Sequence, residues 1–278
     1  MSTSLLGYAG KKVIVTGGGG AGMGAAAVGI LAGLGAQVHV LDFKEPPVPV
    51  ASHQAVDLKD PDAMTRAIDN IGDGIDALFN CVGVPGNRTS DLDTFIINFA
   101  GVRHLTQEVI SRMNDGGAIA TISSNAGENW ERAKDAYAEL VAHTSFTEAT
   151  EWFAAHQELL IPGKATSAYR VSKEAANAWS ILAAPSLGAR GIRQNAVMPG
   201  FTETPMGAEF REVLGDSYFE KYPTPLQRYL TPEEPAKAMI FLNSGLASGI
   251  TGVSLMVDGG AGAVEKKSAM PLAGAAGQ

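Results

Sequence analysis

Tyr169 and Lys173 stand four residues apart in Tyr169-Arg170-Val171-Ser172-Lys173, a spacing that puts both on one face of a helix, one turn from each other. A tyrosine at its ordinary pKa of ~10 is a poor base near neutrality, but a neighbouring ammonium favours the phenolate and suits it to general acid–base work. The same spacing is common in surface contacts, so the pair carries chemistry only in company. A second feature is the run Thr16-Gly17-Gly18-Gly19-Gly20-Ala21-Gly22-Met23-Gly24. Glycines let a backbone turn tightly and approach a pyrophosphate with no Cβ in the way, while a following helix N-terminus offers unpaired N–H groups. In so glycine-rich a run a flexible turn would read the same, and placement between a strand and a helix is what favours a dinucleotide. Asp42, about twenty residues on, is independent support: a carboxylate at the end of a second strand accepts ribose hydroxyls and repels a 2′-phosphate. This favours NAD over NADP, with Lys44 nearby pulling the other way and a solvated strand-end aspartate as the plain alternative.

Such residues need a scaffold that gathers strand ends. Short Val/Ile-rich runs alternate with Ala-rich helical stretches, the pattern of an α/β protein with a doubly wound parallel sheet, the Rossmann fold, whose ligands sit at the carboxyl ends of the strands. The pattern predicts strands over 13–16, 38–42, 75–82, 118–124, 192–198 and 253–257, plus a short strand running to Asp57-Leu58. Helices are predicted over 24–34, 90–113 and 168–187, and another opened by Asp60-Pro61. No linker or repeat divides the chain, so 1–278 reads as one domain. Two segments break the alternation: a helical insertion over 128–166 and a small-residue, partly mobile tail over 261–278. The composition excludes several classes. A net charge of −8 with only 21 Lys+Arg argues against nucleic acid. A single cysteine, Cys81, allows no intramolecular disulfide and suits a reducing cytoplasm. Neither a signal peptide nor an apolar membrane span is expected, and the five histidines form no ligand-spaced set, so no metal site is expected either.

With Tyr169 and Lys173, further motifs in order along residues 11–260 make the sequence resemble the short-chain dehydrogenase/reductase family. Its glycine loop is similar to Thr16-Gly17 with Gly22-Met23-Gly24, its adenine-pocket pair to Asp57-Leu58, and its Asn-x-x-Gly turn to Asn80-Cys81-Val82-Gly83. Its catalytic tetrad resembles Asn98, Ser124, Tyr169 and Lys173. Pro199-Gly200-Phe201-Thr202-Glu203-Thr204 is similar to the segment that holds the nicotinamide carboxamide. The resemblance implies an NAD-dependent alcohol dehydrogenase or ketone reductase, similar to 3-alpha-hydroxysteroid dehydrogenase/carbonyl reductase members. The implied cofactor residues are Gly17, Gly22, Met23, Gly24, Asp42, Phe43, Asp57, Leu58, Asn80, Val82, Gly83, Pro199, Gly200, Thr202, Thr204 and Met206, with Tyr169 and Lys173 shared. Tyr169 would exchange the hydroxyl proton, Lys173 would lower its pKa and reach the nicotinamide ribose, Ser124 would hold the substrate oxygen and Asn98 a water-mediated proton path. Ser124 merely satisfying a strand-end backbone group, and Asn98 capping a helix bend, are the plain alternatives. A catalytically silent dinucleotide binder is the rival outside enzymes, and reductases of another carbonyl class the rival within; enoyl reductases widen the tyrosine-to-lysine spacing, which this chain does not.

The chain departs from the family pattern in two places that matter. Gly17 and Gly22 enclose four residues where the family has three, so one residue must bulge. Ser124 and Tyr169 lie 45 positions apart, which places the insertion beside the active site. Its aromatics Trp130, Phe146 and Trp152, with Phe210 from a probable lid over 201–222, are expected as an apolar wall for a bulky cyclic alcohol or ketone such as a steroid, terpenoid or aryl carbinol. Plain packing or a subunit contact is the other expectation for the insertion. The family pairs through the helices holding Asn98 and Tyr169, so obstruction there would leave a homodimer in place of a homotetramer.

Overall fold

The computed structural model describes residues 5–164, 166–222 and 225–269; Ala165, and 270–278 of the expected tail, lie outside the described residues. Seven parallel strands, β1 (Lys12–Thr16), β2 (Gln37–Leu41), β3 (Ser52–Gln54), β4 (Ile75–Asn80), β5 (Met113–Ile122), β6 (Arg193–Pro199) and β7 (Ser254–Val257), form one sheet in the order β3-β2-β1-β4-β5-β6-β7. The helices are α1 (Met23–Gly33), α2 (Pro61–Ile71), α3 (Asp91–Phe95), α4 (Gly101–Arg112), α5 (Lys134–Ala142), α6 (Phe146–Ala155), α7 (Ser167–Leu182), α8 (Ala184–Leu187), α9 (Pro205–Leu214), α10 (Asp216–Lys221), α11 (Glu233–Asn243) and α12 (Ala261–Ala269). This is the doubly wound single domain expected. No helix among the described residues is long and apolar enough to cross a membrane.

Strand parity explains the two layers. Val13 and Val15 of β1 and Ala77 and Phe79 of β4 pack under α1 and α11, whereas Ile14 and Leu78 pack under α2 and α4; Ile75, across the register shift that separates it from Ala77, joins the second face. Side chains alternate across a sheet, so a parallel strand covered on both faces must be apolar at every position. Local signals set the helix starts: Asp60 accepts a hydrogen bond from Ala63 N at 3.0 Å with Pro61 in the first turn, and Ser145 and Glu148 close a reciprocal capping box on α6.

Three expectations are corrected. The strand expected to run to Asp57-Leu58 stops at Gln54, leaving that pair in the turn before α2. The helix expected over 90–113 contains a π-turn at Ile96–Ala100, between α3 and α4. The tail begins as a helix, α12, held by Lys266 Nζ to Glu128 Oε1 at 2.7 Å. Helix α11, which the sequence pattern did not single out, fills the face beside α1 with Ala236, Met239, Ile240 and Leu242.

Candidate active site

A cleft of about 670 Å³ runs along the carboxyl ends of the strands. At its nucleotide end the wall is mostly main chain. Gly17, at φ +68°, leaves room for the β4 loop: a Cβ there would sit 2.7 Å from Val82 N. One on Gly24 would lie 2.1 Å from Gly17 O. Gly22 begins α1 with no side-chain cap, so the first N–H groups of that helix stay available to an anion. A cradle this close to backbone, with an uncapped helix start, fits a dinucleotide pyrophosphate. The extra loop residue does not bulge outward. Gly19 N donates to Asp42 Oδ2 at 2.8 Å and Gly20 N to Glu45 O at 3.1 Å, zipping the glycine loop onto the segment after β2. Asp42 Oδ1 accepts from Lys44 N at 2.9 Å; each carboxylate oxygen keeps acceptor capacity for a ribose hydroxyl. Phe43, Asp57, Leu58, Val82, Gly83 and Met23 line the same end.

Asn80 is not on this wall. Its amide donates to Thr106 Oγ1 at 2.9 Å and Thr121 Oγ1 at 3.2 Å, so the side chain is a buried polar link that ties β4 to α4 and β5. Asn98 likewise stays behind the wall. Within the π-turn, its Oδ1 accepts from Val84 N at 2.7 Å, and its Nδ2 donates to Val84 O at 2.9 Å and Ser172 Oγ at 3.2 Å. It clamps the loop after β4 rather than capping a bend, and a methyl added to Gly83 would lie 3.4 Å from Asn98 Oδ1 and 3.6 Å from Lys173 Nζ.

At the chemical end, Ser124, Tyr169 and Lys173 converge. The loop after β5 is fastened to α7 by Ser123 Oγ to Lys173 O (2.9 Å), Asn177 Nδ2 to Gly127 O (2.8 Å) and Lys173 Nζ to Ile122 O (3.0 Å). Ser124 stands beside the Tyr169 phenol, accepts from Ala126 N at 3.1 Å and donates to Asn125 Oδ1 at 3.3 Å. Lys173 Nζ lies 5.6 Å from the centre of the Tyr169 ring. Burial raises the Tyr169 pKa, which only the neighbouring Ser124 hydroxyl opposes, and burial pushes Lys173 down to about 8. Desolvation, and not the lysine ammonium, therefore sets the direction of the Tyr169 shift.

Pro199, Gly200, Thr202, Thr204 and Met206 line the cleft between its two ends, with Thr204 capping α9 through Gly207 N at 3.0 Å. Phe210 faces Tyr169 edge-on, with ring centres 4.9 Å apart. Trp130, Phe146 and Trp152 do not join it, which corrects the expected insertion wall. They pack with Phe95, Phe99, Tyr137, Phe153 and Trp179 in a third core outside the sheet layers, where Phe95 and Phe153 stack at 4.4 Å. Arg103, fully buried, anchors this core through Leu140 O and His143 O at 2.9 Å and Ser145 O at 2.7 Å. Glu174 of α7 receives Tyr137 Oη and Arg170 Nη1, each at 2.5 Å. The aromatic spacing that suggested a cleft wall served a core instead, and the cleft residues that sequence reasoning missed, Asn125, Leu214, Gly262 and Glu265 among them, stand on short turns and helix faces with no motif.

Residues 11–149 match the family model described as short chain dehydrogenase, and 152–262 the one described as enoyl-(acyl carrier protein) reductase. The chain is 30% identical over 251 residues to the coniferyl-alcohol dehydrogenase of Pseudomonas sp. (strain HR199 / DSM 7063), spanning 90% of this chain and 96% of that protein. Among solved structures it is similar to the 3-alpha-hydroxysteroid dehydrogenase from Pseudomonas sp. B-0831 complexed with NADH, at TM-score 0.74, 27% identity, and 92% and 98% coverage of the two chains. A short chain dehydrogenase from Burkholderia cenocepacia J2315 in complex with NADP aligns at TM-score 0.70 and 26% identity, over 92% of this chain and 99% of that one.

Proposed function

The chain belongs to the short-chain dehydrogenase/reductase family, and on that premise we propose that it moves a hydride between NAD(H) and a secondary alcohol or ketone of bulky, apolar, cyclic character. The observation that carries this reading is the convergence of Ser124, Tyr169 and Lys173 on one cleft. The nicotinamide, when bound, supplies or accepts the hydride. In reduction, the Tyr169 phenol donates its proton to the substrate oxygen while Ser124 holds that oxygen; in oxidation the Tyr169 phenolate takes the hydroxyl proton. Lys173 favours the phenolate by its charge, and Asn98 acts as a positioning residue by fixing Val84 and with it Gly83.

The glycine cradle and the first turn of α1 would hold the pyrophosphate, and Asp42 the adenosine ribose, which is the support for NAD. Phe210, Leu214 and Phe219 support an apolar ring in the substrate. The segment over 201–222 serves as the lid, stiffened where the Arg211 guanidinium sits among the rings of Phe201, Phe219 and Tyr229, 4.7 to 5.8 Å from their centres. Because α5 and α6 pack over α3, the π-turn and α7, we assign a homodimer in a cytoplasmic setting. The test is Tyr169→Phe. Turnover of steroid, terpenoid and aryl carbinols should fall by about 10³-fold or more while NADH binding, followed by cofactor fluorescence, persists. Retained turnover overturns the mechanism.

A further inference from the structure

Tyr222 closes the lid segment, and its hydroxyl is held with unusual economy of partners. Oη accepts from Asn125 Nδ2 at 3.1 Å and from Phe201 N at 3.3 Å, and it rests against Gly200, where an added methyl would lie 2.9 Å away. Two acceptances fill the phenol's lone pairs and leave its own hydrogen to donate. That hydrogen has no acceptor among the described residues, although carboxylates stand nearby. Asp258 accepts from Gly260 N at 2.8 Å and Gly262 N at 2.6 Å, and Glu128 pairs with Lys266 at 2.7 Å; neither takes a hydrogen bond from Tyr222 Oη. Asn125 Oδ1 in turn accepts from Ser124 Oγ at 3.3 Å. Ser124, Asn125 and Tyr222 thus form one hydrogen-bonded line along the cleft wall, with the acid–base phenol of Tyr169 beside Ser124 at one end and an oriented, unspent donor at the other.

We propose that Tyr222 is a specificity-determining residue that donates to a second oxygen of the substrate, so that the preferred substrates are cyclic alcohols or ketones bearing a further hydroxyl or carbonyl a few bonds from the reacting carbon. This deepens, and rests on, the dehydrogenase reading of the same cleft. The reacting oxygen would sit on Ser124 and Tyr169, and the second one amide's width further along, at Tyr222 Oη. A donor oriented in advance and left without an acceptor discriminates well, since a ligand lacking the matching oxygen leaves it unpaired.

The experiment compares cyclohexanol with cyclohexane-1,2-diol and cyclohexane-1,3-diol in the wild-type protein and in Tyr222→Phe, which keeps the ring and removes only the hydroxyl. The wild type should favour the better diol over cyclohexanol in kcat/KM by about tenfold, and Tyr222→Phe should remove most of that ratio. Asn125→Ala, which frees Tyr222 Oη to rotate, should lower the ratio by a smaller factor. Three results overturn the assignment: no wild-type preference for either diol, an unchanged ratio in Tyr222→Phe whether or not both activities fall, or a loss of NADH affinity showing that the hydroxyl serves the cofactor. Affinities of the same alcohols for the NADH complex, read by fluorescence, report the ratio without turnover. A protein that failed the Tyr169 test would therefore still decide the role of Tyr222.

Discussion

The glycine loop and the stretch between Ser124 and Tyr169, the two places where the sequence is expected to exceed the family's pattern, settle into the fold by opposite means. In the glycine loop one additional residue lies against the ligand cleft, where there is no room for side chains. It is accommodated through its own main-chain N–H groups, Gly19 N donating to the Asp42 carboxylate and Gly20 N to Glu45 O. Between Ser124 and Tyr169 the surplus is large enough to make its own core. Helices α5 and α6 turn Tyr137, Trp152 and Phe153 inward against Phe95, Phe99 and Trp179, and leave the cleft almost untouched. A short insertion must conform to the ligand's geometry, whereas a long one can bury its own apolar surface elsewhere. Substrate selection is accordingly less a matter of the insertion than of α9, α10 and the turn after β5.

Four substitutions would break or sharpen this contrast. Arg103→Met should cost the most, about 3 kcal/mol, because three buried carbonyls lose a charged donor; thermal unfolding should move down by roughly 6–10 °C. Gly19→Ala should strike the other surplus. Its methyl would stand 2.1 Å from Lys44 O, so the zipped loop must open, and NADH affinity measured by fluorescence titration should weaken about thirtyfold with little change in stability. Asp42→Ser keeps an acceptor but removes the charge; the kcat/KM preference for NAD over NADP should fall about tenfold. Tyr137→Phe is expected to have the smallest effect, about 1 kcal/mol in urea unfolding, since Glu174 keeps Arg170 as a partner. Should Tyr137→Phe alter the NAD preference, or Gly19→Ala unfold the protein, the two surpluses would not be independent.

Much of the sheet and the acid–base pair was legible because both are written at short range. A continuous Val/Ile run marks a strand buried on both faces, and four-residue spacing marks one helical face. What was not legible depends on which partner covers a face. Trp152 and Phe210 are both aromatics at helical spacing, yet one stacks at 4.4 Å on His156 inside a core and the other edges Tyr169 in the cleft. Asn80 shows the same limit for polar groups. A short amide at a strand end reads as a ligand contact until its donors are seen to reach Thr106 and Thr121. Helix α11 left a usable sign, Thr231-Pro232-Glu233-Glu234, with proline before the first turn and acids inside it, but its weak amphipathy hid it among the surrounding turns.

The π-turn at Ile96–Ala100 sets the phase of everything after it. Each α-helical residue turns the axis by about 100°, so the additional residue per turn re-aims α4 relative to α3. Phe95 and Phe99 ahead of and within it face the insertion core, while Leu105 and Val109 beyond it face the sheet. Restoring a regular helix by deleting one residue between 96 and 100 would advance one of these faces by a quarter-turn or more. Either the guanidinium of Arg103 would leave the carbonyls of the insertion or the leucine and valine would leave the strands, and Asn98 would lose its grip on Val84. The smallest possible edit to this segment therefore acts as a gear change between two cores rather than a local defect.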